Sequence, residues 1–297
     1  MDDQGLGPAP PPGAVFSDTS ADRLMDPANH LDDIALFIRT EREMIETLAP
    51  LLDRIVELGC MDGRYLELAA RYGVRYVGVD LVPRHVQTGR LRARALGLGE
   101  PDVVFRQGDA QRVHVTLADL ALDGSAERNL LLFPFGLFGA LPDVDDAAAS
   151  LGRLGWPFLL SLYQPGDRMT AARRRYYARC GYEAIRVVRD RRGVWLTTGG
   201  GLRVAAYHPS FLRALWTRHG LAVETVDLSP LNLLCASDVA ASWIRERRAA
   251  PQAVERDVSG RTPWYGTRRT PDNGAPGPCA PETRTPGTEP RPREMRR

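Results

Sequence analysis

The stretch RIVELGCMDGRYLELAARYGVRYVGVD, residues 54–80, decides the fold. An apolar run reaches Glu57, breaks at Gly59 and Gly63, turns amphipathic, and gives way to a second apolar run that stops on Asp80. Strand, glycine turn, helix and strand in that order make a βαβ unit, whose parallel strands are joined by a right-handed crossover. A carboxylate about twenty residues beyond a glycine turn is the spacing that grips the ribose of a nucleoside.

The same alternation continues outward from this unit. Upstream, HLDDIALFIRTEREMIETLAPLL carries apolar residues at three and four spacing and predicts one or two helices. Downstream, helical patterns alternate with the apolar runs VVFRQGDA, NLLLFPF and PFLLSLY. After the fifth strand the pattern changes to short β-rich runs broken by DRRG and GGG, which predict antiparallel strands over about 182–207. PSFLRALWTRHG then reads as a helix, with LAVETVDL and LNLLCA as an antiparallel pair finishing the sheet. The expected fold is α/β: a doubly wound, mostly parallel, seven-stranded sheet with N-terminal helices and a small antiparallel insertion after strand 5.

Composition bounds what the chain can do. Its 297 residues are 43% hydrophobic, enough for one large α/β domain. All 39 basic residues are arginine, which excludes Schiff-base chemistry on lysine and a lysine-bearing P-loop. A net charge of +2 gives no general attraction to nucleic acid, and the arginine-rich helices read as solvated faces. The four cysteines, Cys60, Cys180, Cys235 and Cys279, have no metal-ligand spacing, so no metal is expected and the thiols read as reduced. No signal peptide pattern and no apolar run of about 18 residues is present, which reads as a cytoplasmic protein away from membranes. Proline-rich ends at 1–28 and 247–297 are expected to be disordered, leaving a domain at 29–246.

A doubly wound sheet binds ligands at the carboxyl ends of its strands, beside the point where strand order reverses. The dinucleotide fingerprint G-x-G-x-x-G fails here, because its later glycine positions are Met61 and Arg64. What survives is E-x-G-x-x-x-G, over Glu57, Gly59 and Gly63, followed by Asp80 and by Asp109 in QGDA. Over roughly residues 50–240 the chain resembles class I S-adenosylmethionine-dependent methyltransferases of Rossmann-like fold, with Met61 standing where that family often has glycine.

The resemblance implies a set of cofactor contacts. Glu57 would orient the methionine end of S-adenosylmethionine, against the backbone of Gly59 and Cys60, with Gly63 allowing close approach. Asp80 would take both ribose hydroxyls, and Leu81 would cover the adenine. Asp109 and the backbone of Ala110 would read the adenine edge, and the Phe133 carbonyl would meet the methionine ammonium. The product would be S-adenosylhomocysteine.

FPFGLFGALPD is similar to the corresponding segment of small-molecule methyltransferases and lacks the N/D-P-P-Y/F motif of enzymes acting on amides or exocyclic amines. Phe135, Phe138, Tyr207 and His30 are candidate substrate contacts, and Tyr163 and His208 are candidate catalytic residues, the imidazole because it titrates near neutrality. The expected function is methyl transfer to an oxygen or nitrogen of a small molecule, in specialised metabolism, by a monomer or homodimer. An RNA or protein methyltransferase, and a cofactor-binding protein that catalyses a non-methylating cyclisation or rearrangement, are the alternatives.

Overall fold

The computed structural model describes residues 20–118 and 128–249. The central sheet has seven strands in the order β3-β2-β1-β4-β5-β10-β9. These are β1 (Arg54–Leu58), β2 (Arg75–Asp80), β3 (Val103–Gln107), β4 (Asn129–Phe133), β5 (Phe158–Tyr163), β9 (Val223–Asp227) and β10 (Asn232–Ser237). The first five are parallel, while β10 runs antiparallel to both its neighbours, β5 and β9. The final pair therefore contributes one reversed strand, and β9 runs with the other five.

Burial on both faces explains the apolar runs. Every residue of β1, β4, β5 and β10 is buried, as strands covered by helices on both sides require. The alternation sorts their side chains. Ile55, Leu130, Leu132 and Leu234 join one core with helices α2 (Asp32–Leu48), α3 (Leu66–Arg71), α4 (Pro83–Ala95) and α9 (Asp238–Ala249). Val56, Leu131, Phe133 and Cys235 join the other with α5 (Val113–Thr116), α6 (Val144–Leu154) and α8 (Pro209–Arg218). A one-residue slip would exchange these sets, so the register is tightly specified.

Local signals set the helix limits. Asp143 caps α6 by accepting hydrogen bonds from the amides of Asp145 (2.9 Å) and Asp146 (3.1 Å), worth about 1 kcal/mol. Gly155 ends the helix in the left-handed conformation.

Helix α7 (Asp167–Arg179) leads from β5 into a three-stranded antiparallel sheet of β6 (Arg186–Arg189), β7 (Gly193–Thr197) and β8 (Arg203–Tyr207). This insertion packs with α2 and α7 in a third core of Phe37, Tyr163, Tyr176, Tyr177, Leu196 and Val204. It sits against the turn after β4 so closely that a Cβ at Gly139 would lie 2.2 Å from the Ala205 carbonyl oxygen.

Of the N-terminal segment expected to lack structure, residues 1–19 lie outside the described residues. Ser20–Met25 forms a short helix, α1. It is held by the Tyr176 hydroxyl on the Leu24 carbonyl and by Arg84 on Asp22 at 2.7 Å. At the other end α9 reaches Ala249, and the remaining tail with Cys279 lies outside the described residues. Cys60, Cys180 and Cys235 are buried free thiols. No described helix is long and apolar enough to cross a membrane.

Candidate functional site

Strand order reverses between β1 and β4, and a cavity of about 600 Å³ opens at their carboxyl ends. Its walls come from the loops after the first four strands, from Leu24 and Met25 of α1, from Tyr176 and Tyr177 of α7, and from the small sheet. Gly59, Asp80, Leu81, Asp109 and Ala110 all line it, as do Phe135, Tyr163 and Tyr207. Three strand edges thus present five of the nine expected cofactor residues to one space.

The loop after β1 turns through three left-handed residues, Gly59 (φ 60°), Met61 (φ 51°) and Gly63 (φ 93°). Side chains resist that conformation by about 1–2 kcal/mol, so Met61 is strained where glycine would not be. Its amide accounts for the conformation, donating to Asp80 Oδ2 at 2.8 Å. Gly63 does not line the cavity; its amide closes the turn on the Cys60 carbonyl at 2.8 Å, and a Cβ there would meet Phe105 at 2.9 Å. Cys60 is buried behind the loop, and burial pushes its thiol pKa well up.

Glu57 lies behind the cavity wall. It is wholly buried, and Oε2 accepts from the Tyr65 amide (3.0 Å) and the Tyr76 hydroxyl (2.6 Å). Burial raises its pKa to about 7, against the downward pull of the Arg64 charge and these two hydrogen bonds. Oε1 has no partner.

Asp80 is more engaged than a bare ribose acceptor. Besides the Met61 amide, its Oδ1 accepts from the Val82 amide at 2.9 Å and lies 3.3 Å from His85 Nδ1. The other ring nitrogen of His85 is 3.2 Å from Asp22 on α1. The hydrogen bond to Asp80 is the main cause of a raised His85 pKa. A carboxylate has about four lone-pair sites, and these three contacts leave about one, on Oδ2, for a ribose hydroxyl while the loop keeps its place. Asp109 Oδ1 caps the turn that follows it, accepting the Gln111 amide at 2.8 Å.

Arg64 was legible in the sequence only as a missing glycine, yet its guanidinium lines the cavity. It stacks on Phe135, 4.7 Å from the ring centroid, and lies 3.7 Å from the buried Glu41. One terminal nitrogen contacts only the Met25 sulfur, and the other has no hydrogen bond. An arginine on the wall, paired with Glu41, and an unpartnered carboxylate oxygen behind it fit the carboxylate and ammonium of a methionine group. The residues present therefore fit S-adenosylmethionine.

At the far end the chamber is aromatic. Phe135 holds a left-handed φ of 50° with its amide on Glu41 Oε2 at 2.7 Å. Its ring meets Tyr163 and Tyr176 edge-on, both at 5.9 Å. Burial pushes the Tyr163 hydroxyl well above its usual pKa, which makes it a donor and not a base at neutral pH. Tyr176 and Tyr177, which helical periodicity cannot distinguish from core, line this chamber.

Other expected contacts are placed elsewhere. The Phe138 ring packs in the core on that of Phe133, 5.8 Å away, a contact that leaves the expected role of the Phe133 carbonyl a proposal. His30 stands behind the wall, its Nε2 3.0 Å from the Leu24 carbonyl, and burial lowers its pKa. His208 is at the entry to α8 with its amide on the Arg192 carbonyl, and it does not line the cavity. The chamber brings no imidazole to the acceptor end.

Residues 55–126 match the methyltransferase domain family. A 76-residue stretch is 33% identical to an S-adenosyl-L-methionine-dependent Diels-Alderase of Talaromyces variabilis; that match covers 25% of this chain and 26% of the relative. The chain thus matches about a quarter of that relative's length.

Among solved structures, a Burkholderia thailandensis 1,6-didemethyltoxoflavin N1-methyltransferase with bound 1,6-didemethyltoxoflavin and S-adenosylhomocysteine is 16% identical. The match covers 80% of this chain and 96% of that one, with a TM-score of 0.49. A Pyrococcus horikoshii protein is also 16% identical, over 73% and 97% of the two chains, with a TM-score of 0.47. The likeness to a methyltransferase domain thus extends over residues 55–126 of the 297.

Proposed function

We propose that the protein transfers a methyl group from S-adenosylmethionine to an oxygen or nitrogen of a small molecule. The observation that carries this reading is that one cavity joins the ribose and adenine edge, at Gly59, Asp80 and Asp109, to an aromatic chamber at Phe135, Tyr163 and Tyr177. A space of about 600 Å³ walled by α1 and the small sheet suits a compact acceptor better than a polymer. The buried free thiols suit a reducing, cytoplasmic setting, and specialised metabolism is the setting we infer for such an acceptor.

When bound, S-adenosylmethionine supplies a methyl group on a positively charged sulfur. The protein's part is then chiefly alignment. Asp80 and Arg64 would hold the two ends of the cofactor, Phe135 and Tyr163 would orient the acceptor, and the aromatic walls would exclude water. Incubation with S-adenosylmethionine and candidate acceptors, read by mass spectrometry, should give S-adenosylhomocysteine and a product heavier by one methyl group.

The match to a Diels-Alderase favours one second reading, in which the bound cofactor assists a cyclisation or rearrangement. That reading requires cofactor binding and acceptor turnover with no S-adenosylhomocysteine formed.

A further inference from the structure

Arg173, on α7, heads the fully buried side chains of the described residues in volume. Its terminal nitrogens donate to the carbonyls of Val204 (2.6 Å) and Val194 (3.4 Å), tying α7 to β8 and β7. Its Nε has no hydrogen-bond partner, and no described carboxylate pairs with it. Arginine cannot shed its proton in a protein, so the charge is permanent. Two carbonyls do not balance a buried cation, which costs several kcal/mol without an anion.

What faces this charge is the wall of the acceptor chamber. The guanidinium carbon lies 4.7 Å from the Tyr163 ring centroid, and the Tyr177 hydroxyl interacts with both Arg173 and the Tyr163 hydroxyl. Both tyrosines line the cavity. Burial raises both their pKa values, so both stay protonated; the Tyr163 hydroxyl donates to that of Tyr177, which leaves the Tyr177 proton free to donate into the cavity. Arg64 adds a second positive charge on the same wall but is balanced by Glu41. Arg173 has no such balance.

We propose that Tyr163 and Tyr177, backed by Arg173, form an oxyanion pocket that selects an acceptor with an acidic hydroxyl and holds it ionised for methylation on oxygen. A phenol, an enol or a carboxylic acid shares that chemistry. The assignment rests on the methyl-transfer reading and narrows it from oxygen or nitrogen to oxygen. The acceptor loses its proton to solvent on binding. Its oxygen lone pair forms the new C–O bond as the C–S bond breaks, and that electron pair stays on sulfur. Preorganised donors and a fixed charge supply the stabilisation, which accounts for the absence of an imidazole at the chamber. Tyr177 is the donor that touches the acceptor oxygen, Tyr163 polarises it by donating to its hydroxyl, and Arg173 is a positioning residue acting through both.

The test uses 4-nitrophenol, whose phenolate is coloured, and 4-nitroanisole, which cannot ionise. Each is titrated into the full-length protein loaded with S-adenosylhomocysteine, with loading measured separately by calorimetry. 4-Nitrophenol should bind as phenolate at a pH where it is mostly neutral in water, and about tenfold tighter than 4-nitroanisole. Tyr177→Phe, which keeps the ring, should remove most of that preference and the colour. Arg173→Met should do the same, and if it fails to fold, Tyr177→Phe decides. Equal binding of the two probes, no binding of either, or 4-nitrophenol bound as the neutral phenol would overturn the oxyanion pocket. Failure to load S-adenosylhomocysteine would instead overturn the methyl-transfer reading itself.

Discussion

Replacing Glu57 with glutamine should stabilise the empty protein at alkaline pH and leave it nearly unchanged under acid conditions. In the folded state the carboxyl is wholly buried and its pKa rises to about 7 from an ordinary value of 4.5. The folded protein therefore binds the proton more tightly than the unfolded chain. Stability falls as pH rises from 4.5 to about 7, and the whole penalty is in place above that. A shift of that size corresponds to about 3 kcal/mol. A glutamine keeps an acceptor for the Tyr65 amide and the Tyr76 hydroxyl and carries no charge to desolvate.

Urea denaturation of both proteins at pH 5 and pH 8 measures the effect. The variant should gain up to about 3 kcal/mol at pH 8 and little at pH 5. An equal difference at both values, or a variant less stable at pH 8, would refute the reasoning about burial. The stability gained should come with weaker S-adenosylhomocysteine binding, by about tenfold, because the negative charge behind the wall is lost.

Arg64→Met should weaken S-adenosylhomocysteine binding by about tenfold or more in calorimetry, through loss of the cation facing the cavity; unchanged affinity would remove Arg64 from the site. The contact of α1 with the ribose edge should loosen as pH rises, because His85 has a raised folded pKa through Asp80 and its contribution is complete only below the unfolded value of 6.5. Hydrogen-exchange protection at residues 20–25, taken relative to the base-catalysed intrinsic rate at each pH, should fall above that pH in the wild type, and His85→Phe should abolish that fall. Gly139→Ala should destabilise the protein by about 1–3 kcal/mol in urea, since the added Cβ drives the Ala205 carbonyl and β8 away.

The sheet was legible because strands buried on both faces are written as continuous apolar runs, and NLLLF and FLLSLY can hardly do otherwise. The ligand edge was legible because Gly59, Asp80 and Asp109 end successive strands, so chain order fixes their proximity. The acceptor end was not. Tyr176 and Tyr177 follow a helical pattern that packs a core or a chamber equally well, and only the returning insertion decides which.

Arg64 points inward because α1 and Glu41 come back over the loop, a contact of distant segments that no local pattern encodes. The helix at 20–25 is short and polar, and its order derives from Tyr176 and Arg84. His208 drew attention by chemistry alone, and its place at the entry of α8 is set by Pro209 behind it.

Calorimetric titration of S-adenosylhomocysteine into the wild type and into Asp80→Ala, with circular dichroism to verify the fold, tests the adenosine site most directly. One molecule should bind per chain, and removing the carboxylate should cost about a hundredfold in affinity, through loss of a charge-assisted ribose hydrogen bond and of the Met61 contact that sets the loop. A wild type that takes up no ligand, or a folded variant that binds equally well, would contradict it.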